Sequence, residues 1–272
     1  MEVKHGMPFE EYHRVEALSQ SDLQLMKRSP RHYKYSRVRG EEEPTDAMLF
    51  GSAFHCLVLT PDDFNNLYVF EPKDIDRRTK VGKEAYADFV IANQGKTVLP
   101  ARFQSQIFEM AETFITHPVV VALHNIQPEV SLFWKDPEYG IDCKGRLDIY
   151  QADNRTIADV KTTTDARAEA FARTVCVMGY HRQAAWYIDG ARECGLPVHC
   201  YLLLAVEKEP PYGIGCYMLI DEVIELGRRE NRALVQKFAE CVKSEQWPGY
   251  PETIQPIGVP VWYSQQNAEA NI

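Results

Sequence analysis

Several things are missing from this chain of 272 residues. It has no run of eighteen apolar residues, which excludes a helical membrane span. Its opening, MEVKHGMPFEEYHRVE, lacks the apolar core of a signal peptide, so export is not expected. Its seven cysteines are scattered, with no C-x-x-C pair. That pattern suits a reducing, cytoplasmic setting and argues against a zinc ribbon or an iron–sulfur cluster. No G-x-x-x-x-G-K-[ST] loop is present, so no ATP requirement is expected. No G-x-S-x-G elbow or Cys–His pattern offers a covalent nucleophile. There is no repeat and no low-complexity tract. Positive charge is also scarce: 30 Lys and Arg face 39 Asp and Glu, for a net charge of −9. For an average surface this disfavours a nucleic-acid binder, because phosphates want Lys and Arg. A cleft can differ from the average, and carboxylates that hold cations add to the deficit.

What is present is an ordinary globular composition, 45% hydrophobic and 25% charged. We expect a single domain over residues 1–250 and a Pro-rich, polar tail over 251–272 whose end, SQQNAEANI, reads as disordered. Residues 1–118 read as mainly helical. Ser19 caps a helix with Asp22 three residues on, and Pro30 stops it. TDAMLFGSAFHCLVLTPDDF reads as an apolar helix carrying Gly51 and His55, ended before Pro61, and DIDRRTKVGKEAY as a charged loop. Helices are expected near 84–93 and 101–116. Residues 119–250 read as the sheet part. Strands are expected at Val130–Lys135, Ile141–Tyr150 and Arg155–Lys161, then one long helix from Ala166 to Cys194 ended by Gly195 and Pro197. The strands HCYLLLAVEK and YGIGCYMLI and a helix from Asp221 to Glu245 complete an α/β domain, a mixed sheet flanked by helices with a helical front end.

The stretch GRLDIYQADNRTIADVK carries the first sign of chemistry. Asp153-Asn154 reads as a two-residue hairpin turn, since both residues tolerate the left-handed conformation such turns need. That register sets Asp148 directly opposite Asp159 on one face, with Cβ atoms roughly 5 Å apart. Lys161 shares that face. The other face carries Leu147, Ile149, Ala158 and Val160 towards the core. Like charges placed opposite each other are destabilising. Either the acidic face simply meets water, or a divalent cation sits between the carboxylates. Oxygen ligands of this kind suit Mg²⁺, with Mn²⁺ as a substitute.

Asp148 followed by Asp159-Val160-Lys161 resembles the D…(D/E)-x-K motif of the PD-(D/E)xK nuclease superfamily. Gly51-x-x-x-His55 resembles the G-x-x-x-H motif of its RecB-like branch, DVKT its D-x-K-T signature, and Gln183-x-x-x-Tyr187 its Q-x-x-x-Y helix motif. Each is weak alone, but the four stand in the right order on suitable elements. LSQSDLQLMKRSPRHYKY and AMLFGSAFHCLVLTPDDF are similar in style to the RecE (exonuclease VIII) group within that branch. Two departures stand out: Leu147, not Pro, precedes Asp148, and the cluster-binding cysteines of some RecB-like relatives are absent.

The resemblance implies roles. Asp148, Asp159, the Val160 carbonyl and a neutral His55 would hold metal, with Glu129, at the start of the preceding strand, a further candidate. Lys161 would orient or deprotonate the attacking water, and Gln183 and Tyr187 would contact DNA or position Lys161. Lys27, Arg28, Arg31, Arg77, Arg78, Thr162 and Thr163 are candidate contacts to the DNA backbone. The resemblance further implies 5′-to-3′ digestion of double-stranded DNA ends, a ring-shaped homo-oligomer and a RecT-like single-strand annealing partner. A ring would confine positive potential to its channel and so accommodate the net charge. A restriction-like or structure-selective endonuclease on the same core, and a non-catalytic DNA-binding relative, are the rival readings.

Overall fold

The computed structural model describes residues 1–40 and 43–259; the polar end SQQNAEANI lies outside them. In chain order the front part holds β1 (Glu2–Lys4), α1 (Phe9–Arg14), α2 (Gln20–Arg28), α3 (Pro30–Arg39), α4 (Asp46–Leu59), α5 (Pro61–Leu67), β2 (Tyr68–Phe70), α6 (Lys80–Ala92), β3 (Thr97–Leu99), α7 (Phe103–Thr116) and α8 (Pro118–Ala122). Then follow β4 (Ile126–Lys135), β5 (Asp142–Gln151), β6 (Thr156–Thr163), α9 (Ala168–Met178), α10 (Tyr180–Glu193), β7 (Cys200–Glu207), β8 (Ile214–Met218) and α11 (Asp221–Ser244). No helix among the described residues is long and apolar enough to cross a membrane.

Six strands form one sheet in the order β1-β4-β5-β6-β7-β8. Neighbours run antiparallel except β6 and β7, whose parallel pairing needs a long crossover; α9 and α10 provide it. Helices cover both faces. One face packs Ile157, Tyr201 and Leu203 with residues of α2, α9, α10 and α11. The other packs Ile149, Ala158, Val160 and Leu204 against α4 and α7. A strand buried on both sides reads as an unbroken apolar run, which is why CYLLLAV does not alternate.

The expected hairpin is present with the expected register, but two of its details differ. Ile149 pairs with Ala158 and Gln151 with Thr156, leaving a loop over 152–155. The left-handed residue in it is Arg155, at φ 53°, rather than Asp153 or Asn154. Leu147 also lies on the opposite face from Ile149, Ala158 and Val160, not with them. The cause is a break in the β4–β5 ladder. Pairing runs through Val130 with Leu147 and resumes at Pro128 with Ile149, skipping Glu129 and Asp148. Glu129 sits there at φ 54°, a left-handed backbone that re-aims the side chains on either side. Glu129 is therefore inside β4, three residues past its start, rather than at its beginning.

Other differences have local causes. The long helix expected over Ala166–Cys194 is two, broken where Gly179 turns left-handed at φ 74°. The front part is not purely helical: β1 joins the edge of the main sheet beside β4, and β2 pairs with β3. The charged DIDRRTKVGKEAY segment becomes helical at Lys80, because the Thr79 hydroxyl accepts from the Gly82 amide and caps α6. The Ser19–Asp22 capping box forms as expected, and Pro30 opens α3 while closing α2.

Gly179 is placed to be sensitive: an added Cβ there would lie 2.1 Å from Nη2 of Arg182, in a backbone shape that L-residues avoid. Gly179→Ala is expected to lower stability by about 1–3 kcal/mol. Denaturant unfolding measures it, as a midpoint shifted down at unchanged slope.

Candidate active site

Three elements meet at the ladder break. β5 brings Asp148, β6 brings Asp159 and Lys161, and α4 brings His55. Asp148 is released from strand pairing, so its Oδ2 accepts a hydrogen bond from the Val160 amide at 2.8 Å instead of facing Asp159 across a regular ladder. His55 Nδ1 lies 3.5 Å from the same Oδ2. Of the expected metal-binding residues, the structure sets His55 beside Asp148 and Asp148 against the Val160 amide, one residue along β6 from Asp159.

Asp159 is 1% exposed, and neither carboxylate oxygen makes a well-formed hydrogen bond. The Lys161 ammonium lies 2.5 Å from it. The Tyr201 hydroxyl is buried against it, also without a well-formed hydrogen bond. A buried carboxylate in this state is costly. Burial, opposed by Lys161 and reinforced by Asp148, raises the Asp159 carboxyl to about 6. Burial raises Asp148 to about 6 as well, with Lys161 opposing and Glu129 adding. His55 is held below its ordinary value by burial and then by the Lys161 charge, which favours the neutral ring that ligates metals. For Lys161, burial pulls downward, but Asp159 and Asp148 together outweigh it and raise the ammonium.

The other candidates divide. Gln183 and Tyr187 bond to each other, Nε2 donating to the phenol at 3.2 Å, and neither holds Lys161. The ring near Lys161 is Tyr180, with Nζ 4.9 Å from its centroid. Tyr187 lies close to Gly145 of β5, where an added Cβ would meet its ring at 3.1 Å. Glu129 is ion-paired with Arg146, whose Nη1 also donates to the Met7 carbonyl at 2.9 Å. Tyr180, Tyr201 and Arg146 were not read from the sequence. The signal for Tyr180 is the Gly179 before it, a helix break that aims the first residue of the next helix at the sheet.

The candidate DNA contacts are all engaged or unremarkable. Lys27 pairs with Glu230 at 3.4 Å, Arg28 donates to the Tyr250 hydroxyl at 3.4 Å, and the Arg31 side chain packs along Gly249. These three tie α2 and α3 to α11 and to the segment that follows it. Arg77 pairs with Glu71 and stacks on Tyr86, and Arg78 grips Asp76. Exposed pairs of this kind are worth little and exchange readily. Thr162 is half-buried on β6. Thr163 is buried and donates its hydroxyl to the Asp165 carbonyl, so it serves a turn, not a phosphate.

Among the described residues, no three His, Cys, Asp or Glu side chains already converge as a metal cage. Lys161 lies against Asp159 where a cation would be drawn. The donor types present nevertheless suit a hard divalent ion: His55 lies beside Asp148, Asp148 accepts from the Val160 amide, and both oxygens of the buried Asp159 carboxylate lack hydrogen-bond partners.

The family described as a PDDEXK-like domain of unknown function, DUF3799, matches residues 19–258. The chain belongs to that family. All four motifs, from Gly51 to Tyr187, fall within the matched residues of this DUF3799 domain. Among solved structures, an exonuclease candidate from Eubacterium rectale is similar at 15% identity and TM-score 0.65, covering 97% of this chain and 99% of that one. That likeness concerns the fold. A phage-related exonuclease from Haemophilus somnus 129PT is more distant, at 16% identity and TM-score 0.37 over 64% of this chain and 90% of its own. No curated protein is significantly similar in sequence.

The raised carboxyls set a stability test. Asp148 holds its proton more tightly folded, at about 6, than at its ordinary value of 3.8. Folding therefore loses stability as pH rises through that window and regains it as pH falls. Asp148→Asn, which can still accept from Val160, is expected to raise the melting temperature in chelator at pH 8 by about 2–5 °C. The advantage should vanish at pH 4, and thermal scans at the two pH values measure it.

Proposed function

We propose that this DUF3799 domain is a metal-dependent deoxyribonuclease that hydrolyses phosphodiester bonds at the ends of linear double-stranded DNA without ATP. The carrying observation is Asp159. A carboxylate is held in the interior with both oxygens lacking hydrogen bonds, beside Lys161 and within reach of the His55–Asp148 pair, in a PDDEXK-like fold. Asp148, Asp159, the Val160 carbonyl and His55 would hold Mg²⁺, with Mn²⁺ able to substitute, and Glu129 could join once freed from Arg146. Bound there, the ion supplies Lewis-acid polarisation of the scissile phosphate and a lowered pKa for attacking water.

The chain's own groups do the rest. Lys161, on the same strand face as Asp159, would orient the attacking water and offset charge developing on the phosphate. Neutral His55 keeps a lone pair for the ion. Gln183 and Tyr187, linked on one helix face, present an amide and a phenol to the DNA strand. The exonuclease description of the Eubacterium rectale protein supports action at ends. We extend the proposal to 5′-to-3′ polarity, to 3′ single strands passed to a RecT-like annealing protein in recombination, and to a ring-shaped homo-oligomer in the cytoplasm.

Digestion of 5′- and 3′-labelled linear duplex with Mg²⁺ and no ATP tests this. The 5′ label should be released first, as short products, and a covalently closed circle should survive. Cleavage of the circle would instead identify an endonuclease on the same core. Asp159→Ala should slow hydrolysis roughly 100-fold or more, with the fold retained by circular dichroism.

A further inference from the structure

Gly51 lies inside α4, one turn before His55 and on the same side of the helix. Three other glycines lie inside helices, and each answers to a neighbour. An added Cβ would sit 2.0 Å from the Asp76 carbonyl oxygen at Gly82, 2.6 Å from the Trp134 ring at Gly190, and 2.2 Å from the His181 carbonyl oxygen at Gly227. At Gly51 it would meet no described atom within 4 Å. The backbone there is not left-handed either. Neither packing nor conformation in the folded chain requires glycine, and in a helix interior alanine folds better. The opposite side of α4 is fully used: Phe50, Ala53 and Phe54 are buried in the core against α7.

The unfilled space borders the metal-candidate side of the helix. A helical side chain leans towards the preceding turn, so the His55 ring leans along α4 towards Gly51. His55 keeps 24% of its side chain accessible, and Met48, on the turn before Gly51, is 60% exposed. An open strip of helix therefore leads from His55 along Gly51, narrowed by no side chain at residue 51.

We propose that Gly51 is a substrate-positioning residue: it keeps a slot open beside His55 in which the sugar–phosphate backbone of the nucleotide next to the scissile bond lies directly against the α4 main chain. The helix interior offers no free amide there, so the contact is one of shape. It admits a polynucleotide strand whatever its bases. The inference rests on the nuclease reading given above.

Gly51→Ala and Gly51→Val test it, against linear duplex and against a small phosphodiester, thymidine 5′-monophosphate 4-nitrophenyl ester, which has no neighbouring nucleotide. Gly51→Ala should melt at or above the wild-type temperature. On duplex its kcat/KM should fall about tenfold or more, mainly through KM, and further with valine. On the small ester the loss should be at least about tenfold smaller. A duplex kcat/KM within about twofold of wild type overturns the slot. So does a parallel loss on both substrates, which would mean that Gly51 only supports His55. A wild-type protein that cleaves neither substrate with Mg²⁺ or Mn²⁺ overturns the nuclease reading itself, and the slot with it.

Discussion

The site turns on one awkward fact: a carboxylate, Asp159, lies inside a sheet covered on both faces, with the Lys161 ammonium against it. An ion in such a place keeps its charge only if an opposite charge is held next to it. Lys161, two residues on along the same strand, does this, and strand geometry fixes it on the same side. Asp148 adds a second carboxylate to the same neighbourhood. Its strand must leave the regular ladder to bring it there, and the left-handed Glu129 marks where it does so. The break also explains why neighbouring apolar residues of β5 serve opposite cores.

The arrangement is under electrostatic strain. Both acids are pushed up to about 6, chiefly by burial. A protein selected for stability alone would replace them, since a well-packed neutral core often does as well as a buried ion pair. Keeping two carboxylates, an imidazole and an ammonium together makes sense if a cation relieves the repulsion. Arg146 plays a similar part for Glu129, holding a third acid at the edge of the cluster. Two aromatic rings border the cluster: Tyr187 lies close to Gly145, and Tyr180 sits by Lys161.

Much of this was legible in the sequence because the motifs are local. His55 in an apolar helix, Asp148 and Asp159 around a short turn, Lys161 next to Asp159, and Gln183 four before Tyr187 are short-range patterns, and helix or strand period sets each one's face. What was not legible is what depends on distant partners. The face on which Leu147 packs depends on a kink at Glu129, in another strand. The partners of Lys27, Arg28 and Arg31 lie more than 200 residues away, in α11 and beyond. Arg146 pairs across to β4 and to the N-terminal segment. A three-residue edge strand such as β1 has too little pattern to be read at all. The split of the long helix was readable in principle, since Gly179 stands in its middle, but a glycine within a helical pattern is often tolerated.

The central claim is that Asp159, Asp148 and His55 form a divalent-cation site now guarded by Lys161. Calorimetric titration of the whole protein with Mn²⁺, at pH 6 and pH 8, tests it most directly. The account predicts saturable binding at pH 8, weaker binding with proton release at pH 6 as the two carboxyls are emptied, and loss of binding in Asp159→Asn. Binding of equal strength in Asp159→Asn, or none in the wild-type protein, would contradict it.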